Sequence, residues 1–504
     1  MKNMAVILAG GKGTRMKSEK PKALLEVLNK PMLGWVMDAC VEADIRCEWI
    51  SVVKGYGHKE LQKYTDSYVN FKVDTVLQKE QLGTGHAVMC AARLIKKAQP
   101  DNVLILCADA PLIDAQTLAN SLDLHIDEGN AVTVITAELD EPRGYGRIIR
   151  GETGIDGIVE QKDATEEQRA IKEVNSGAYW FKTDELLKAL KKIQPNNAQG
   201  EYYLTDTVGA LVKMGKRAGA YMTQNRNVVL GANDRIGLLK LAEVARMSII
   251  EKHAEAGVEF VSAEGVIIEP GVKIFPGAKI LPNTIIRNGA WIRTNAVIGP
   301  NTVINGGAVG NESVVECSVI EDGVVIGDHC TIGPFAHLRP DAILRDHIHI
   351  GNFVEVKNSF LGYGTAVSHL TYVGDSFVGN NVNFGCGVAV ANYDGNEKNK
   401  CIIKDNAFIG CNTNLVAPVT IGEAAYTAAG STITKDVPAG ALAVERAKTV
   451  ILEGKGKEKL GRHLAKGKKL MVKVRKEQKE IEERVHASLA NTDFDDDIDH
   501  EPWD

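Results

Sequence analysis

The chain has 504 residues, 44% hydrophobic and 25% charged, with a formal net charge of −6 and a sequence pI near 6.1. That length exceeds one ordinary core, so two or more domains are expected, and the composition is that of a globular chain. The acidic balance argues against a nucleic-acid partner, and no apolar run approaches the roughly 18 residues a bilayer span needs, so no membrane partner is expected either.

In chain order, Met1–Gly11 is apolar only briefly before a glycine-rich loop, and reads as a strand and not a signal peptide. Residues 1–230 then alternate strand-like and helix-like segments. Ala5–Leu8, Val103–Cys107 and Ala131–Thr136 are short buried strands. The pattern predicts an α/β domain with a Rossmann-like mixed sheet and ligands at the carboxyl ends of its strands. The loop Gly10–Arg15 lets backbone N–H groups approach a phosphate chain. It lacks the Gly-Lys-Ser/Thr ending of a Walker A loop and the spacing of a dinucleotide fingerprint. Arg15 and Lys22 supply two cations nearby, as a triphosphate requires. Asp109, at a strand end ahead of Pro111, reads either as a hard-oxygen ligand for Mg²⁺ or as a helix N-cap.

Leu230–Glu255 carries Ile236, Leu239, Leu241, Val244, Met247 and Ile250 at helical spacing, which predicts a connecting helix. Beyond it Ile268, Ile274, Ile280, Ile286, Ile292, Ile298 and Ile304 recur every six residues. The rhythm breaks near Gly306–Glu312, where about four extra residues intervene, and resumes at Val314, Ile320, Ile326, Ile332, Leu338, Leu344, Ile350 and Val356. One inward aliphatic residue per strand–turn unit, three units to a triangular coil, predicts a left-handed parallel β-helix of hexapeptide repeats.

Polar residues interrupt this rhythm at Ser368-His369-Leu370-Thr371-Tyr372 and in an excursion from Asn392-Tyr393 through Lys398 and Lys400. Arg339 and Lys357 each follow an inward residue, which places two cations on one side of neighbouring coils. An imidazole suits the proton acceptor that acetyl transfer to an amine requires. In isolation His369 reads equally as a structural residue, and the polar set around it favours the proton acceptor; His347 and His349 read as solvated coil residues, and His329 beside Cys330 lacks companion metal ligands. The nine cysteines contain no Cys-x-x-Cys pair, so reduced thiols and a cytoplasmic location are expected. Lys455–Arg484 reads as a solvated helix or arm, and the acidic run 493–504 as disordered.

Several segments narrow the reading. They are Leu8-Ala9-Gly10-Gly11-Lys12-Gly13-Thr14-Arg15-Met16 with Pro21-Lys22, Gln78–Ala87, Gly144–Ile148, Glu160–Ala164 and Asn196–Tyr203. Joined to the hexapeptide repeats, the chain resembles the bacterial bifunctional N-acetylglucosamine-1-phosphate uridyltransferase/glucosamine-1-phosphate N-acetyltransferases over about residues 1–446. The resemblance implies a nucleotidyltransferase domain over 1–230, a linker helix over 231–258 and an acetyltransferase β-helix over 259–446; the charged C-terminal extension over 447–504 lies outside it.

For UTP it implies Leu8, Ala9, Gly10, Gly11, Lys12, Arg15 and Lys22, with Gln78, Gly83 and Thr84 at the uracil. Asp109 and Asn233 would bind Mg²⁺, and Gly146, Glu160, Asn175 and Asn233 the N-acetylglucosamine-1-phosphate. For the second reaction it implies His369 as base and Arg339, Lys357, Tyr372 and Asn383 around glucosamine-1-phosphate. Acetyl-CoA would meet Asn392, Tyr393, Lys398, Cys411, Ala429 and Arg446, with Asn392 and Lys398 also matching contacts of the sugar phosphate. A homotrimer and the product UDP-N-acetylglucosamine, a cell-wall precursor, are implied as well. A nucleotidyltransferase whose β-helix only assembles the trimer is the alternative. Three positions depart from the family: Gly10 stands where alanine is common, Ala108 where glycine precedes the metal-binding aspartate, and Cys411 where serine is frequent.

Overall fold

A computed structural model describes residues 1–489 apart from 44, 46 and 153; the acidic run 493–504 lies outside the described residues. The chain forms two compact units, Met1–Val444 and Glu445–Asp504.

The larger unit begins with a mixed sheet. Its main order is Ala218–Met222, Val132–Glu138, Glu173–Lys182, Asn102–Cys107, Asn3–Ala9, Cys47–Lys54 and Val73–Leu77. Asn3–Ala9 is parallel to both neighbours, while Glu173–Lys182 runs antiparallel between Asn102–Cys107 and Val132–Glu138. A central strand buried on both faces needs an unbroken apolar run, and Met4 to Ile7 supply one. Ala5 and Ile7 face Leu33, Val36 and Leu118 of the helices Met32–Glu42 and Ala115–Asp127. Met4 and Val6 face Val88, Ala91 and Leu211 of the helices Thr84–Ala98 and Asp206–Lys213 on the other side. Leu8 pairs with Cys107, so the loops leaving these two strands start side by side at one edge of the sheet.

The helix Arg235–Glu255 follows, capped by Asp234, whose Oδ1 accepts from the Gly237 N–H at 2.7 Å. Leu241, Ala245 and Ile250 are its buried residues, whereas Ile236 and Leu239 of the expected apolar set are 68% and 72% exposed. The inward face is instead extended by Leu238 and Ala242.

From Glu259 the chain winds into three parallel sheets of eleven, ten and nine short strands. In the middle sheet Ile268, Ile286, Ile304, Ile320, Leu338 and Val356 lie one above another, each fully buried. Most strands are two residues long, the first facing outward and the second inward, and burying each aliphatic side chain is worth about 1.5–3 kcal/mol. The expected insertion near Gly306–Glu312 is not there. The chain instead takes five-residue steps from Ile304 to Val309 and from Val315 to Ile320, and Val315, not Val314, is the inward residue. The parallel ladder fixes which residues pair, so a missing residue is absorbed at a corner and the column continues. The one long departure runs from Val390 to Ile403, where the Tyr393–Lys398 bridge closes a small turn.

In the smaller unit Lys455–Leu489 forms a helix whose described side chains are exposed. Among the described residues no helix is long and apolar enough to cross a membrane, and all nine cysteines are free thiols.

Candidate functional sites

The first site lies where the adjoining strands Asn3–Ala9 and Asn102–Cys107 end. A cleft of about 300 Å³ there is lined by Leu8, Ala9, Gly10, Gly11, Lys22, Gln78, Gly83, Thr84 and Asp109, together with Ala23, Gln81, Ala87, Cys107, Ala108 and Glu201. Lys12 and Arg15 sit exposed on the loop above, and the Lys12 ammonium lies 5.5 Å from the Tyr56 ring centre. Asp109 is not a helix cap; Asp114 caps the helix that follows. The Lys22 ammonium instead bridges the Asp109 carboxylate and the Asn233 carbonyl oxygen, the latter at 3.0 Å. Two oxygen donors from segments far apart in sequence therefore converge on one cation.

Gln78 is 4% exposed and its amide N–H groups donate to the Gly83 carbonyl at 3.1 Å and reach His86 Nδ1 at 3.2 Å. Its carbonyl oxygen presses against Gly10, where a Cβ would come within 2.7 Å. The departure from alanine at Gly10 thus makes room for this amide. Gly83 takes a φ of +109°, and a Cβ there would strike the Tyr202 carbonyl, so only glycine serves at this turn. Thr84 opens the next helix and accepts from the Leu204 N–H at 3.0 Å. Ala108 is buried, its N–H donates to Leu8 at 3.0 Å, and its backbone is not left-handed, so its methyl group is accommodated.

Gly146, Glu160 and Asn175 come together beside this cleft. The Asn175 N–H donates to Gly146 at 3.0 Å, and a Cβ on Gly146 would lie 3.5 Å from both Glu160 oxygens. Burial pushes the Glu160 carboxyl above its ordinary range, although the Thr205 hydroxyl donates to it at 3.3 Å. The Asn175 side chain is spent on Tyr179, donating to its hydroxyl at 2.6 Å. Burial pushes the Cys107 thiol up to about 12, with Asp109 and Glu160 adding to the rise and Lys22 opposing it.

The second site is on the β-helix. Leu338 pairs with Val356, so Arg339 and Lys357 leave adjacent strands of one sheet at one corner. Arg339 donates to Glu355 at 2.7 Å. The turn after Val390 brings Lys398 to the same place, where its ammonium pulls Lys357 below the usual lysine range. Asn392, 6% exposed, donates through Nδ2 to the Asp375 carboxylate and lies 3.4 Å from the Tyr372 hydroxyl. Arg339, Lys357, Tyr372, Asn392 and Lys398 thus form one cluster. His369 and Asn383 come from the neighbouring sheet, whose strands Ala366–His369 and Asn383–Phe384 pair, and one corner leads from His369 to the strand Tyr372–Gly374. The imidazole is exposed and makes no hydrogen bond among the described residues. Along that edge the corners are tied by Gly387 N–H to His369, Asn412 N–H to Cys386 and Gly430 N–H to Cys411, which carries Cys411 and Ala429 below His369, both exposed. Tyr393 points outward, its hydroxyl donating to Gly395 at 2.7 Å. Arg446 belongs to the smaller unit.

Glu355, Asp375, Gln81 and Glu201 were not singled out from sequence. Glu355 could have been, since it sits two residues before Lys357 on the same outward row. Asp375 had no comparable signal.

The nucleotidyl transferase family model matches residues 4–231, and the bacterial transferase hexapeptide (six repeats) model matches 323–358 and 400–435. The bifunctional protein GlmU of Acetivibrio thermocellus is 42% identical over 451 residues, 89% of this chain and 96% of that protein. That of Clostridium perfringens is 44% identical over 454 residues, 90% and 98% of the two chains. That of Shouchella clausii is 43% identical over 447 residues, 88% and 97%. With two matched domains in one chain and such identity over nearly its whole length, the chain belongs to the GlmU family of bifunctional nucleotidyltransferase–acetyltransferases.

Proposed function

We propose that the two polar constellations divide the family's two reactions between them: acetylation of glucosamine-1-phosphate by acetyl-CoA, then uridylyl transfer from UTP to the N-acetylated product. The observation that carries this division is their separation within one chain, one at the sheet edge around Lys22 and Asp109, the other on β-helix corners. Residues 1–230 would carry uridylyl transfer, 231–258 the link, 259–446 acetyl transfer, and 447–504 an addition to both.

In uridylyl transfer a phosphate oxygen of the sugar attacks the α-phosphorus of UTP, the bond to the β-phosphate breaks, and pyrophosphate leaves. The attacking monoester is already anionic, so no protein base is needed. Leu8, Ala9, Gly10, Gly11 and Lys12 offer the cradle, Arg15 and Lys22 neutralise the triphosphate, and Gln78, Gly83 and Thr84 meet the uracil. Gly146, Glu160 and Asn175 receive the sugar, with Asn233 between sugar and metal. Asp109 and Asn233 fit a hard cation, because their oxygens already converge on the Lys22 ammonium. Mg²⁺ held there would supply charge neutralisation to the phosphates.

In acetyl transfer the substrate amine attacks the thioester carbonyl, His369 takes the amine proton, and the carbon–sulfur bond breaks to release CoA. Arg339, Lys357 and Lys398 supply positive charge for the sugar phosphate, with Tyr372, Asn383 and Asn392 around the amine and sugar. Tyr393, Cys411, Ala429 and Arg446 remain for acetyl-CoA. Cys411 is no nucleophile in direct transfer.

A homotrimer is supported by an apolar row on the nine-stranded sheet. Trp291, Val325, Ile343, Phe360, Phe377 and Ile402 face outward in register, and Phe377 is 53% exposed. Nine free thiols support a reducing, cytoplasmic setting. Sedimentation equilibrium is expected to give three times the chain mass; a monomer at micromolar concentration would count against assembly through that row.

Free CoA and pyrophosphate are to be followed separately in purified protein. His369→Ala is expected to lose CoA release by about 10²–10⁴-fold while pyrophosphate release from N-acetylglucosamine-1-phosphate stays within about two-fold. Asp109→Ala, or chelation of Mg²⁺, is expected to do the reverse. Loss of both products in either variant would contradict two separate sites.

Because the buried Glu160 carboxyl is held above its ordinary range, its anionic form is lost at a higher pH than for an exposed glutamate. The acid limb of kcat/KM for N-acetylglucosamine-1-phosphate is therefore expected above the usual glutamate range. Glu160→Gln should flatten that limb and lower the plateau about ten-fold; an unchanged limb would remove Glu160 from the sugar site.

A further inference from the structure

The corner that gathers Arg339, Lys357 and Lys398 also holds a carboxylate with no part in the scheme above. Asp375 is 7% exposed, a degree of burial rare for aspartate unless it is paired. It follows the strand Tyr372–Gly374 at a φ of +49°, a left-handed corner that aspartate tolerates better than most residues. Both of its oxygens are occupied. Oδ1 accepts from Asn358 Nδ2 at 2.6 Å, and Oδ2 accepts from Asn392 Nδ2 and lies 4.0 Å from the Lys398 ammonium. Gly374 keeps the space beside it open: a Cβ there would collide with the Tyr372 hydroxyl and with Asn392 Nδ2.

An ionised carboxylate only accepts hydrogen bonds. The group Asn392 turns toward it must therefore be the NH₂, which leaves the Asn392 carbonyl oxygen to face outward. A carbonyl oxygen is what an amine substrate requires as an acceptor. The same negative charge lies beneath two lysines that would otherwise repel each other. Lys357 is lowered first by Lys398, then by loss of solvent and by Arg339, and Asp375 opposes the lowering. Lys398 in turn feels Asp375, Tyr372 and Arg339. Of the other carboxylates, Glu355 is spent on Arg339, and Glu321, which Arg339 also feels, is held by Asn305 and His337.

We infer that Asp375 is a positioning residue of the acetyl-transfer site, which orients the Asn392 amide to accept from the substrate amine and keeps Lys357 and Lys398 together as a phosphate grip. The inference rests on the reading that this cluster binds glucosamine-1-phosphate. Asp375 touches neither substrate; it acts through Asn392 and the two lysines. Replacing it by asparagine puts an amide opposite an amide. Whichever way each turns, either an N–H of one meets an N–H of the other, or Asn392 keeps its place without a charged partner.

The test compares full-length wild type, Asp375→Asn and Asp375→Glu in CoA release across pH, with pyrophosphate release from N-acetylglucosamine-1-phosphate as the check on folding. Asp375→Asn is expected to raise KM for glucosamine-1-phosphate on the order of ten-fold, with KM for acetyl-CoA and the pyrophosphate activity within about two-fold of wild type. Its KM should also begin its alkaline rise at a lower pH, because Lys357 loses the charge that opposes Lys398. Asp375→Glu keeps the charge and should restore the alkaline limb even where kcat is reduced. An unchanged KM and a superimposable pH profile in Asp375→Asn would make Asp375 a corner filler and overturn the inference. So would a fall of both activities in parallel in both variants, which marks a folding defect. Wild-type protein that releases pyrophosphate but no CoA would overturn the reading of the cluster itself, and is told apart because it needs no variant.

Discussion

Parallel pairing of short strands, coil over coil, is the constraint on which the C-terminal half depends. Each inward aliphatic residue stacks on the one a coil before it, and the ladder allows no slippage without turning the column outward. That register positions everything polar. Leu338 over Val356 places Arg339 beside Lys357, and Val356 over Val373 places Lys357 beside Gly374 and the Asp375 corner. The column cannot tolerate an extra residue in a strand, so additions go to corners. The excursion between Val390 and Ile403 is such an addition, and it is what carries Lys398 to the cation cluster.

The N-terminal half solves a similar problem with a different device. Parallel strands flanked by helices deliver their carboxyl ends to one edge, and the pairing of Leu8 with Cys107 sets the glycine-rich loop against Asp109. Lys22 then holds Asp109 and Asn233 together, which keeps two potential ligands of a cation from separating.

Much of this was legible in the sequence because it is periodic or local. The six-residue repeat of isoleucine specified the β-helix, and the rule that Arg339 and Lys357 follow inward residues placed them correctly on adjacent strands. Where the period changed the reading went astray: two five-residue steps, ending at Val309 and Ile320, look in sequence like an insertion, because a period shows that residues are missing or added but not where a corner absorbs them. The helix Arg235–Glu255 was legible, but its apolar spacing admitted two faces, and Ile236 and Leu239 lie on the exposed one. Contacts between residues far apart in the chain were not legible. Nothing in the spacing of Asp109 and Asn233 announces a shared lysine, nor does anything near Asp375 announce Asn392. That His369 belongs to one sheet and Tyr372 to the next also required the three-dimensional course of the coils.

The claim at the centre of this account is that coil register builds a phosphate grip from Arg339, Lys357 and Lys398. A structure of the protein with glucosamine-1-phosphate bound tests it most directly. The account predicts the phosphate within hydrogen-bond reach of those three side chains and the amine facing the Asn392 carbonyl oxygen. A phosphate bound on any other corner of the β-helix would contradict it.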